Sequence, residues 1–282
     1  MSGLSILASG MSGPIGADLL PALAADGHRV RRLVRRAPSD SGEVQWDPGQ
    51  PLSPEKVSGF DAVIHLAGET IVGRWTAAKK ARIRDSRVLG TRHLVDALRQ
   101  SGAKPGVLIT ASAIGYYGNR GHEALNESSA PGNNFLAGVC REWEAAAHAA
   151  EAAGIRVVSL RIGMMLSPVG GALKQMLLPF RIGAGGRIGS GQQYWSWVSI
   201  RDVVGAIQHA ISNPSLRGAV NAVSPQPVTN AEFTRTLASA LHRPAIFPMP
   251  AFAVKTIFGQ MGDELLLAST RVLPGKLQAS GY

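Results

Sequence analysis

The stretch Gly10-Met11-Ser12-Gly13-Pro14-Ile15-Gly16 constrains this chain more than any other. It spaces three glycines as G-x-x-G-x-x-G between an apolar run, Leu4 to Ala8, and a helical stretch around residues 15–26. Strand, glycine turn and helix in that order open a βαβ unit. The first glycine permits the tight turn. The second lets backbone approach a bound group, and the third lets helix and strand pack closely. The helix start then points N–H groups at that group, which favours a pyrophosphate. The expected contacts are Gly10, Gly13, Pro14, Ile15 and Gly16, with Ser12 adding a hydroxyl. A merely tight strand–helix turn is the alternative.

Gly27 ends the first helical stretch, and Arg29 to Val34 reads as a second strand. An NAD site carries an acid just beyond such a strand, about 20 residues past the glycines, for the ribose hydroxyls. This chain has Arg35 and Arg36 there, 19 and 20 positions after Gly16. A carboxylate repels a 2′-phosphate, whereas a guanidinium binds it through two hydrogen bonds. The expected cofactor is therefore NADP(H). A solvated surface pair is the alternative, since Arg31 and Arg32 stand close by.

The pattern repeats along the chain. A short third strand runs from Glu43 to Trp46-Asp47-Pro48, and Ala62–Leu66, Val107–Ala111 and Arg156–Leu160 read as buried strands. Helices are expected over Thr76–Arg99 and Phe135–Ala152. Strands alternating with helices predict an α/β fold, a Rossmann doubly wound parallel sheet. Ile83, Arg87, Gly90, Leu94 and Leu98 recur at helical spacing, as do Leu136, Val139, Trp143, Ala146 and Ala150. Both stripes read as core, with a homodimer bundle as the alternative. Residues 163–198 are rich in Gly and Pro and show little periodicity. Asp202–Ile211 reads as a helix and Ala219–Val223 as a strand, and Thr229 to Glu232 has capping-box spacing. The expected division is a cofactor domain over 1–162 with 199–224. A small C-terminal substrate-type lobe takes 163–198 and 225–282.

Composition narrows the function classes. No run of 18 apolar residues occurs, so no membrane span is expected, and the first 30 residues lack a signal peptide's basic start. The single cysteine, Cys140, suits a reducing cytoplasm. The net charge of +10 favours anionic partners, but its basic residues are spread along the chain, which argues against nucleic acid and for a small anionic substrate. No Cys/His cluster suggests a metal.

Further strings carry a resemblance: Gly68-Glu69, Arg84-Asp85-Ser86-Arg87, Gly115-Tyr116-Tyr117-Gly118, Trp143-Glu144, Gly170-Gly171-Ala172-Leu173, Gly189-Ser190-Gly191-Gln192, Ser196-Trp197-Val198 and Leu273-Pro274. With the glycine loop they make the chain resemble the extended short-chain dehydrogenases/reductases, and among them the NAD-dependent epimerase/dehydratase-like "epimerase family proteins". The resemblance implies cofactor contacts at Leu66, Ala67 and Gly68, and at Met165 in a segment over the nicotinamide. It also implies one at Arg87, which stands where many members have Asn. Arg87 as one more exposed arginine is the alternative.

The resemblance further implies a Ser/Thr, a Tyr and a Lys, the last two as Tyr-x-x-x-Lys. The serine holds the substrate oxygen, the tyrosine moves a proton, and the lysine lowers its pKa. Ser112 fits the serine. Phe135 and Val139 occupy the other two positions, and no other Tyr-x-x-x-Lys occurs. Tyr116 and Tyr117 are the candidate substitutes, although an unassisted phenol, with a pKa near ~10, is a poor base. Arg161 would help if it lay close. His65 reads as structural, Glu69 as a cap or cleft residue, and Arg187 as an anion contact in a glycine-rich loop or part of a plain connection. The expected function is an NADP(H)-dependent oxidoreductase or nucleotide-sugar epimerase. A non-catalytic NADP(H)-binding redox sensor or regulator is the alternative, because Tyr-x-x-x-Lys is absent.

Overall fold

The structure, a computed structural model, describes residues 3–282. Its strands are β1 (Ser5–Ser9), β2 (Arg29–Val34), β3 (Glu43–Gln45), β4 (Ala62–His65), β5 (Val107–Ala113), β6 (Ala124–Leu125) and β7 (Arg156–Ile162). They continue with β8 (Met164–Leu166), β9 (Tyr194–Trp195), β10 (Trp197–Ser199), β11 (Gly218–Ala222), β12 (Val228–Thr229) and β13 (Arg271–Val272). The helices are α1 (Pro14–Ala25), α2 (Ala77–Gln100), α3 (Phe135–His148), α4 (Gly171–Arg181), α5 (Ile200–Ser212), α6 (Asn230–Leu241), α7 (Ala251–Phe258) and α8 (Gly275–Ala279).

Seven strands form one sheet in the order β11-β7-β5-β4-β1-β2-β3, and every neighbouring pair is parallel. This is the Rossmann-type α/β fold that the alternating pattern predicts. β1, β4, β5 and β7 are mostly apolar and buried because both faces are covered, whereas β2 and β3 toward the edge are polar and partly exposed. Ile6, Ala8, Ala62, Ile64, Val107, Ile109, Val158 and Leu160 face a core shared with Leu19 and Leu23 of α1 and Val203 and Ile207 of α5. The intervening Leu7, Val63, Leu108 and Val157 face a second core with Leu94 and Leu98 of α2 and Ala147 of α3. The two apolar stripes thus pack inward, as core. No helix among the described residues is long and apolar enough to cross a membrane.

Residues 163–198 depart from the sequence expectation. They hold α4 and three short strands, β8 pairing β10 and β9 pairing β12. Pro179 stands inside α4 and only Phe180 of that helix is buried, so a helix-breaking residue sits among Leu173, Met176, Leu177 and Phe180, which otherwise keep helical spacing. The expected helix to Ala152 stops at His148 and continues as a tighter turn over Ala149–Ala153. The capping box forms as spaced, with Thr229 and Glu232 reciprocally bonded at the start of α6.

Candidate cofactor and active site

The glycine loop sits at the C-terminal end of β1, in the middle of the sheet. Gly10 has φ +77°, and a Cβ there would lie 2.5 Å from the Leu66 carbonyl carbon and 2.6 Å from the Ala67 nitrogen. A Cβ on Gly16 would lie 2.3 Å from Met11 Cα. Both glycines are therefore required by close backbone approach, one against the turn after β4 and one within its own loop.

The start of α1 differs from those of α2, α3, α5 and α6. Thr76, Asn134, Ser199 and Thr229 cap α2, α3, α5 and α6 with side-chain oxygens, whereas Gly13 gives α1 no side-chain cap. Its first-turn N–H groups stay open beside the exposed Ser12 and Pro14, which is the cradle an anion needs. Ile15, Leu66 and Met165 pack together against the core below it. Gly170, just past β8, approaches so closely that a Cβ would lie 2.3 Å from Pro14 Cγ. Three segments far apart in sequence thus meet around the loop. An uncapped helix start and glycines that admit no Cβ fit a bound dinucleotide.

At the end of β2 the two expected arginines part company. Arg36 donates to both oxygens of the buried Glu43, at 2.7 and 2.6 Å, and Arg32 reaches the same carboxylate at 2.9 Å. The Ser39 backbone N–H, then Arg36, hold the Glu43 carboxyl down at about 2. Arg36 is thus occupied by Glu43 instead of standing free for a phosphate. Arg35 is exposed, with no carboxylate within ion-pair distance among the described residues.

Arg87 is not an exposed arginine. It lies half-buried under Gly68, donates to the Glu69 carbonyl at 2.9 Å and the Ile83 carbonyl at 3.1 Å, and stacks on the Trp143 ring. Burial pushes its pKa down. Its hydrogen bond to Glu69 anchors the turn after β4.

Two of the catalytic candidates, Ser112 and Tyr117, fall into one buried network. Ser112 Oγ donates to Glu144 at 2.7 Å. Arg161 grips the same carboxylate at 2.8 Å through Nε and again through Nη2, and donates to the Tyr117 hydroxyl at 2.9 Å. Tyr117 in turn donates to Asn221 at 2.7 Å. Burial raises the Tyr117 pKa despite the Arg161 cation, so this phenol is held in place and kept protonated. Tyr116 differs. It is half-exposed, its hydroxyl has no partner among the described residues, and its ring lies 3.4 Å from the Arg161 guanidinium carbon.

Phe135 and Val139 offer no proton. Phe135 packs edge-on to Trp75 at 5.3 Å, and Val139 is buried. The Phe135 and Leu136 N–H groups donate to Glu264, and Phe258, Met261 and Leu265 join Trp75, Ile83 and Leu136 in a small core. Arg187 lines an open cavity of about 610 Å³ with Gln192, Glu232, Arg235 and Ile246, which includes none of the glycine-loop residues. Among the described residues no His/Cys/Asp/Glu group could hold a metal.

Glu144, Asn221 and Glu264 escape the sequence reading. Glu144 had a signal, because it adjoins Trp143 on a helix face that is otherwise apolar. Asn221 and Glu264 had none, since Tyr117 and the start of α3, which they hold, lie more than 100 residues away.

His65 is fully buried, with Nδ1 2.6 Å from Ser9 Oγ. Burial pushes its pKa from 6.5 down to about 4. Between those values the unfolded chain takes up a proton that the folded chain refuses. Stability is thus complete above about pH 6.5 and falls as pH drops toward 4, by at most about 3 kcal/mol. The urea midpoint should drop measurably between about pH 7.5 and 5. His65→Gln should flatten that dependence, and an unchanged slope in the variant would exclude His65 as its source.

Comparison with known proteins matches residues 6–223 to the NAD dependent epimerase/dehydratase family. The chain belongs to that family. Its residues 249–282 match a domain of unknown function, DUF1731. An epimerase family protein of Mycobacterium bovis is 43% identical over 284 residues, covering 100% of this chain and 94% of the relative. The crystal structure of human epimerase family protein SDR39U1 with NADPH superposes with a TM-score of 0.89 at 33% identity, covering 99% of this chain and 94% of that one. A nucleoside-diphosphate sugar epimerase from Corynebacterium glutamicum gives 0.81 at 36% identity, over 99% of this chain and 54% of that one. This family member therefore has the nicotinamide-dinucleotide-binding fold, with the glycine loop at its expected position.

Proposed function

We propose that this epimerase-family protein binds NADP(H) and uses it as an oxidoreductase on a small polar, anionic substrate. Arg35 carries the reading. It is the arginine beyond β2 left without a carboxylate, while Arg32 and Arg36 are tied to Glu43. The NADPH in the human relative's structure supports the same choice. When bound, the cofactor supplies hydride exchange at its nicotinamide. Gly10, Ser12, Gly13, Pro14, Ile15 and Gly16 hold its pyrophosphate, Leu66, Ala67 and Gly68 line its flank, and Met165 covers the nicotinamide. Arg87 contributes through the turn it anchors. Tyr116 is the proton donor or acceptor we assign, as the phenol of the site with a free hydroxyl. Ser112 and Tyr117 act as positioning residues through Glu144 and Arg161. Cys140 is buried and its thiol pushed up to about 12 by that burial, which keeps it protonated and unreactive.

Arg35→Ala should weaken NADPH binding by roughly 10- to 100-fold and leave NADH binding nearly unchanged, since a charge-assisted bidentate contact is lost only with the phosphorylated cofactor. Titration by tryptophan fluorescence reads both. Equal losses would remove Arg35 from the 2′-phosphate.

The second reading, an NADP(H)-binding regulator without turnover, draws on the closed Ser112–Glu144–Arg161–Tyr117 network and on Phe135 and Val139. Native mass spectrometry of the purified protein separates the two. A small molecule bound beside the cofactor favours the oxidoreductase, and cofactor alone across varied lysates favours the regulator.

A further inference from the structure

The turn after β4 brings an acid among several cations. Glu69 accepts from Lys79 Nζ at 2.7 Å, and Arg82 Nε stands 3.9 Å from the same oxygen. The Lys79 hydrogen bond is the first cause of a lowered Glu69 pKa, and the Arg82 and Arg35 charges add to it. Arg35 follows β2 directly and Lys79 stands in the first turn of α2, so the charges acting on Glu69 come from two separate elements. Glu69 does not drift into this position. Its backbone N–H is held by Ser86 Oγ at 3.0 Å and its carbonyl by Arg87. Lys79 is only 11% exposed, whereas Glu69 keeps 32% of its side-chain surface in water. The lysine is thus held at the site while its counter-ion is the half-free member.

Two cations held on one carboxylate, with the Arg35 charge acting on it from beyond β2, leave an excess of positive charge. Glu69 keeps about a third of its side-chain surface in water, so a stronger anion can take its place beside Lys79 while the released carboxylate is hydrated. A phosphate monoester carries about −1.5 to −2 and three acceptor oxygens. Leu66 and Ala67, three and two residues before Glu69, already abut Gly10 of the glycine loop.

From these observations, and resting on the NADP(H) reading above, we propose that Lys79 and Arg82 complete a 2′-phosphate subsite with Arg35, and that Glu69 is the built-in counter-ion the phosphate displaces. Cofactor choice is then set from two sides of the sheet, by β2 and by α2. Glu69 tunes it: the carboxylate neutralises the cluster when no phosphate is present and opposes phosphate entry when one arrives.

The test uses the full chain and four proteins: wild type, Arg35→Ala, Lys79→Gln and Glu69→Gln. Each is titrated with NADPH and with NADH, at low and at moderate salt. Lys79→Gln should weaken NADPH about tenfold and leave NADH within about twofold, with a shallower salt dependence for NADPH. Glu69→Gln should raise the preference for NADPH over NADH severalfold. Retained NADH binding shows that a variant has folded. If Lys79→Gln weakens both cofactors equally, the lysine contacts the pyrophosphate or the fold and the subsite is wrong. If it changes neither while Arg35→Ala still erodes NADPH, the subsite is Arg35 alone. A Glu69→Gln that lowers the preference overturns the counter-ion role. If wild type binds neither cofactor, the NADP(H) reading and the subsite fall together.

Discussion

Arg161→Met should lower the thermal unfolding midpoint by roughly 10 °C and the urea midpoint with it. Arg161 is 3% exposed and Glu144 7%, and two hydrogen bonds of 2.8 Å join them. Removing one partner of such a pair strands the other charge away from water, at a cost of about 3–5 kcal/mol. A domain's whole stability is about 5–15 kcal/mol, and a chain near this size loses about 2–4 °C per kcal/mol. Ser112 would keep its bond to a carboxylate that now lacks its cation, while Tyr117 would retain Asn221. Arg161→Met combined with Glu144→Leu should recover most of the loss, because neither charge is then left alone. If the single variant lost under about 1 kcal/mol, the pair would have to be water-accessible and the site more open than described.

Gly10→Ala should abolish cofactor binding and destabilise the chain by several kcal/mol. Two effects add. The residue has φ +77°, which costs an L-residue roughly 1–2 kcal/mol, and the new Cβ would lie 2.5 Å from the Leu66 carbonyl carbon, where backbone must move. Gly27→Ala is the control. Gly27 has φ +81° but open space around it, so only the conformational part, about 1 kcal/mol, should appear. Urea unfolding of both variants, with NADPH and NADH titration of Gly10→Ala, separates crowding from backbone strain. Equal losses in the two would mean that the approach to Leu66 is not what requires the glycine.

The parts of the fold that are local in sequence were legible there. The loop from Gly10 to Gly16 and the buried strands announce themselves through spacing and apolar runs, because one element's own residues carry the pattern. The choice between Arg35 and Arg36 could not be read that way. It depends on β2 and β3 pairing with Arg32 opposite Glu43, which brings that acid to the end of β2. Glu144 meets Arg161 from a helix packed across the sheet, and nothing in either segment names the other. Helix α4 stayed hidden because Pro179 and the flanking glycines masked the helical spacing of Leu173, Met176, Leu177 and Phe180. For catalysis the sequence raised the right difficulty, the missing Tyr and Lys. It could not separate Tyr116 from Tyr117, adjacent residues whose hydroxyls differ entirely in their surroundings.

Glu264 carries a consequence for how the chain is made. It bonds the first N–H groups of α3, while Ser196 Oγ bonds the Thr270 carbonyl and accepts from the Val272 N–H, and Asn221 reaches the Leu273 carbonyl. A ribosome delivering this polypeptide releases the glycine loop before these partners. The first half can fold its sheet on emergence, but the wall beside α3 stays unfinished, with Trp75, Ile83 and Leu136 uncovered, until residues 258–273 have cleared the exit tunnel. Synthesis that stalls before that point should leave a sticky, half-closed intermediate in the care of chaperones.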